Sequence, residues 1–153
     1  MSHLATYVGL ADHSEQTLAS ALRSVAEGHA EEADVFHTCH LLAGWSEEHR
    51  RRLAPVVERY GEEDVEEPER LHHDGLAQVR SGPVGLLRDL QELYVLGAMV
   101  ETTWTVVIQG AQGLRDTDLL EVATSCSTQT ARQLSWFNTR MKVAAPQALI
   151  VAR

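Results

Sequence analysis

Three ionisable residues stand where apolar ones are due. Leu4, Val8, Ala11, Leu18, Leu22 and Val25 recur every three or four positions, and the step after Ala11 lands on Glu15. A second series, Val35, Cys39, Leu42, Leu53, Val56 and Tyr60, is broken at Trp45–Ser46 and again at His49. A third places Glu101 between Gly97 and Trp104, and a fourth places Ser127 and Thr130 between Ala123 and Leu134, with Cys126 and Gln129 beside them. Ionised groups on inward faces need partners. Two carboxylates and an imidazole, Glu15, His49 and Glu101, offer two kinds of chemistry. One is a buried hydrogen-bonded cluster, with His49 bridging the carboxylates and Ser127, Thr130 or Trp104 supplying donors. The other is a single metal site completed by water, a donor set suited to Fe, Mn or Zn.

Other candidate groups are weaker. His37 and His40 share a helical face with Asp34 one turn earlier, the spacing of a small metal site or of a solvated surface. His72 and His73 stand in a polar linker. Cys39 and Cys126 match no metal or redox spacing and are expected as free, buried thiols. Trp45, Trp104 and Trp136 are expected as core or interface aromatics, each seeking a partner for its indole N–H. No Ser/His/Asp ordering, glycine-rich phosphate loop or Cys pair supports a hydrolase, kinase or thiol-redox reading.

The apolar spacing predicts four helices, at about 3–28, 31–60, 84–112 and 117–143, within one domain spanning 1–153. Gly28 is expected to cap the first in the left-handed conformation, and Gly110 or Gly113 to end the third. Glu31, Glu32 and Asp34 favour the start of the second, and Pro55 should kink it before Gly61 closes it. Pro83 suits a first turn, Asp116 or Thr117 an N-cap, and Pro146 a stop before a short apolar tail. The stretch of about 61–83 is rich in Pro, Gly and acid, with room for one short helix near 69–79. Some 20 extended residues reach about 60 Å, more than the roughly 42 Å of a 28-residue helix. Short link, long link, short link therefore predicts an all-α, antiparallel four-helix bundle with a long crossover between helices 2 and 3. Counted from the short turns, Glu15, Ser46–His49, Glu101 and Ser127 fall within about one helical turn of a common level.

That series resembles the ferritin-like superfamily, and in particular small ferritin-like stress proteins of bacteria. Its di-iron and di-manganese members run Glu, Glu-x-x-His, Glu, Glu-x-x-His along four helices. This chain has Glu15, then Ser46-Glu47-Glu48-His49, then Glu101, then Ser127-Thr128-Gln129-Thr130. Ser46 replaces one expected carboxylate, and the inner face of the fourth helix supplies neither acid nor imidazole. Half of the ligands that the resemblance implies, Glu15, His49 and Glu101, remain.

A net charge of −9 argues against nucleic-acid and anionic membrane partners, and no apolar run approaches the roughly 20 residues that span a bilayer. The start of the chain has no signal-peptide pattern, so the expected location is cytoplasmic. The expected role is a structural or interaction module, homodimeric and without a cofactor, whose metal site is degenerate. The alternatives are an Fe- or Mn-binding oxidoreductase or storage relative, and a small-molecule binder with a cavity near Gly97 and Ala98.

Overall fold

The computed structural model describes residues 3–60, 76 and 78–152. Among them are four long helices and no strand: α1 (His3–Gly28), α2 (Ala33–Tyr60), α3 (Gly82–Leu114) and α4 (Thr117–Pro146). A single π-turn, Gln147–Val151, follows α4. The linker expected over 61–83, with its short helix, His72 and His73, lies largely outside the described residues.

Each boundary has a local cause. Asp116 caps α4 by accepting from the Leu119 N–H at 3.1 Å, as its side chain and position predict. Ser81 is extended, Gly82 takes φ +76°, and Pro83 enters the first turn of α3, where a missing N–H costs nothing. Two expected caps fall elsewhere. Helix α3 runs past both Gly110 and Gly113, and the left-handed position is Arg115 at φ 56°, whose N–H reaches back to Gln112 O. Gly28 is not left-handed; it is small because Val79 packs where a Cβ would stand. The apolar tail after Pro146 forms a helical turn, with Ala152 N–H closing on Gln147 O. Helix α2 continues through Pro55 to Tyr60.

Helix α1 packs on α2 and α3, and α4 packs on α3 and α2, leaving α1/α4 and α2/α3 as diagonals. Side-chain pairs mark the register. From α1 to α2 they run Asp12–Arg50, Glu15–His49, Arg23–Glu47 and Glu27–His40. From α2 to α4 they run Asp34–Arg140, Ser46–Gln133, His49–Gln129, Arg52–Ser125 and Arg59–Asp116. In both sets numbers rise along one helix as they fall along the other. The interior is a single cluster in which Leu18, Leu22, Leu53, Leu90, Leu93, Trp104, Leu119 and Phe137 are fully buried. Each such side chain contributes about 1.5–3 kcal/mol of transfer free energy. At Gly97, α3 meets α4 closely: a Cβ there would lie 2.9 Å from Leu134 Cδ2 and 3.3 Å from Phe137 Cε2.

Candidate functional site

Halfway along the bundle, three helices present polar side chains to one another. Glu15 on α1 and His49 on α2 are fully buried, and His49 Nδ1 is hydrogen-bonded to Glu15 Oε2. On the other side of the ring, His49 Nε2–H donates to Gln129 Oε1 on α4 at 2.7 Å. An amide oxygen only accepts, so Nε2 carries a proton. On its other side the ring is taken up by the Glu15 carboxyl through Nδ1. Both ring nitrogens are thereby engaged, and neither keeps a lone pair for a metal ion or a substrate proton.

One turn along, Gln133 is fully buried and donates to Leu42 O at 2.9 Å and Ser46 Oγ at 3.0 Å. Thr130 turns its hydroxyl back onto Cys126 O at 2.8 Å, satisfying itself within α4. Ser46 therefore serves as an acceptor for the α4 amide at the position where the resemblance implies a carboxylate. Four buried polar atoms have no partner among the described residues: Ser14 Oγ, Glu15 Oε1, Trp104 Nε1 and Gln133 Oε1.

The expected residues divide. Glu15 and His49 come together, and Thr130, next to Gln129 in the chain, is buried, while Ser127 is only half-buried. Glu101 is half-buried, and the hydrogen bonds of His49 go to Glu15 and Gln129 rather than to it. No group of three or more His, Cys, Asp and Glu side chains among them is arranged to hold a metal ion. The donors present, one carboxylate and an imidazole already bonded on both sides, do not fit the two-metal centre that the resemblance implies.

The second candidate, Asp34 with His37 and His40, is drawn apart. Asp34 pairs with Arg140 across to α4 at 2.7 Å, His40 pairs with Glu27 at 2.9 Å, and His37 edges onto the Phe36 ring. Both cysteines are free and buried, and burial pushes each thiol up to about 12, so neither is a thiolate near neutral pH. Trp104 is wholly buried, whereas Trp45 and Trp136 are half-buried.

Sequence reasoning missed Gln133 and a second buried cluster at the end of α1. Asp89, fully buried on α3, bonds His29 Nε2 at 2.8 Å, Arg80 Nη1 at 2.8 Å and the Arg80 N–H at 3.0 Å. The signals were present. Gln133 lies on the inner stripe of Cys126, Thr130 and Phe137, and Asp89 on that of Leu86, Leu90 and Leu93.

No protein-family model matches the chain, and no curated protein or solved structure matches it.

Proposed function

We propose that this chain is a degenerate member of the ferritin-like superfamily: an antiparallel four-helix bundle with a long crossover between α2 and α3, acting as a homodimeric structural or interaction module. The arrangement is supported by the order of the cross-helix pairs. Helix α1 pairs in opposite order with α2, and its ends lie against α3 at Leu4–Gly110 and His29–Asp89, again in opposite order. Helices α2 and α3 then point the same way on a diagonal, so the chain between them has to travel the length of the bundle.

The observation that carries the functional reading is the engagement of both nitrogens of His49. An imidazole bonded to Glu15 on one side and to Gln129 on the other is a buried structural relay, with hydrogen bonds where the family's metal centre would stand. A cavity for a small molecule has no support at Gly97, where Leu134 and Phe137 already fill the space. The metal-binding alternative draws on one observation, the buried and unpartnered Glu15 Oε1.

Elemental analysis separates the two. Protein purified from iron- and manganese-replete cells is expected to carry only trace metal, unchanged by Glu101→Ala. A full equivalent of Fe or Mn per chain, lost in Glu15→Gln, would overturn the structural reading in favour of the metal site.

A further inference from the structure

We infer that the cleft at one end of the bundle, where the end of α1 meets the start of α3, binds a small primary amine in its ammonium form, with His29 as the group that recognises it. This goes beyond the structural role proposed above and does not depend on it. The cleft has a volume of about 370 Å³, room for a small organic molecule. Glu27, His29, Glu31 and Glu32 line it from the end of α1 and the turn into α2, and Pro83 and Leu86 from the start of α3.

The central observation is the state of His29, which is only 7% exposed. Its Nε2 lies 2.8 Å from Asp89 Oδ2. Asp89 already accepts from Arg80 at both of its oxygens, so the proton between it and His29 belongs to Nε2. In a neutral imidazole the other nitrogen is then an acceptor with a free lone pair. No hydrogen bond reaches Nδ1 among the described residues. Nor is Nδ1 one of the sealed unpartnered atoms of the interior, which are Ser14 Oγ, Glu15 Oε1, Trp104 Nε1 and Gln133 Oε1. It therefore opens onto the cleft that His29 lines. A buried carboxylate that fixes the tautomer and orientation of a ring whose far nitrogen faces a cleft is an arrangement for holding a ligand.

The surrounding groups select a donor, and a cation. Three carboxylates line the cleft, and α1 ends there with the negative end of its dipole and no basic residue in its last turn. The nearby cations are engaged elsewhere: Arg80 with Asp89 and Glu92, and Arg140 with Asp34 and Glu32. The start of α3 adds few donors, since Pro83 has no N–H. A metal ion is the poorer fit, because no three His, Cys, Asp or Glu side chains among the described residues are grouped to hold one. An ammonium group needs no such cage. Its three N–H donors can be shared between the imidazole lone pair, a carboxylate and the last carbonyls of α1. Pro83 and Leu86 continue into a second cleft with Val143 and Ala144, which gives the apolar body of an amine a surface to lie on.

Titration calorimetry on the full chain tests this with benzylamine as the probe, and with benzyl alcohol and benzoate as neutral and anionic molecules of the same body. Benzylamine is expected to bind saturably with a roughly millimolar Kd, and the other two not to bind. His29→Phe keeps a flat ring but removes the acceptor, and is expected to weaken benzylamine at least about tenfold, the worth of a hydrogen bond to a charged group. Glu31→Gln, at an exposed position, is expected to weaken it about two- to fivefold, and Glu121→Gln, exposed at the far end of the bundle, to leave it unchanged. Should His29→Phe misfold, as judged by circular dichroism, nitrogen NMR of the wild-type imidazole provides the second measurement. The His29 Nδ1 signal is then expected to move on adding benzylamine, more than that of Nε2. No saturable binding, equal binding of benzyl alcohol, equal effects of Glu31→Gln and Glu121→Gln, or an unmoved Nδ1 signal overturns the inference.

Discussion

At the scale of single residues, the centre of the bundle is held by a hydrogen bond between two fully buried side chains, Glu15 and His49. Removing one member of such a pair leaves the other as a buried polar or charged group, which costs about 3–5 kcal/mol, whereas replacing both with apolar side chains is often neutral or better. His49→Leu is therefore expected to destabilise strongly, because it strands the Glu15 carboxyl, both of whose oxygens are then without a partner. Glu15→Met combined with His49→Leu is expected to recover most of that loss. Urea denaturation of the two single variants and the double gives the coupling; a double variant no more stable than the worse single would show that the pair is not a unit. The pairing was legible in the sequence because both residues interrupt apolar stripes at one level. Gln129 was legible only as a neighbour of that stripe: one residue off the inner face, it reaches His49 because its side chain is long. Glu101 lies at the right level yet half-exposed, a difference of helix rotation that spacing alone does not resolve.

At the scale of elements, helix spans were legible to within a few residues because apolar periodicity, Pro83, Asp116 and Pro146 act locally. The caps were less so, since what a glycine does depends on what approaches it from elsewhere in the chain. Gly44 and Gly85 make this contrast measurable, both being glycines inside helices. A Cβ at Gly44 meets nothing within 4 Å, so Gly44→Ala is expected to stabilise by the helix-propensity gain of about 0.5–1 kcal/mol. A Cβ at Gly85 would lie 2.9 Å from Arg80 Cβ and 3.1 Å from the Arg80 carbonyl carbon. Backbone does not yield as a side-chain tip does, and the same segment places the Arg80 N–H and guanidinium on Asp89. Gly85→Ala is thus expected to destabilise by about 1–3 kcal/mol. Urea midpoints that move in the same direction for both variants would sink this account of the two glycines.

At the scale of the whole molecule, each end of the bundle is closed by an aspartate that joins segments remote in sequence. At one end Asp89 gathers His29 and Arg80, tying the entry of α3 to the end of α1. At the other, Asp116 accepts from Tyr60 at 2.6 Å, Arg59 at 2.7 Å and the Leu119 N–H, tying the end of α2 to the start of α4. The sequence offered Asp116 as a cap for one helix; its second role depends on α2 ending beside it, which is a property of the assembled bundle. Burial raises the Asp116 carboxyl pKa, but the hydrogen bonds from Tyr60, Arg59 and the Leu119 N–H outweigh it and leave the group below the ordinary aspartate value. A carboxyl depressed in the folded state stabilises at and above its unfolded pKa of about 3.9, and that contribution is lost as pH falls through the lower folded value. Asn keeps the shape and the capping oxygen while removing the charge. Asp116→Asn is accordingly expected to lose about 1–3 kcal/mol at neutral pH, the worth of hydrogen bonds to a charged group. Urea titrations at successively lower pH are expected to bring wild type and variant together as pH falls from about 4 through the lower folded value, beneath which both carry a neutral side chain. A gap that stays constant from neutral pH into acid would place the effect in shape rather than charge, and would remove Asp116 as the source of acid sensitivity at this end of the bundle.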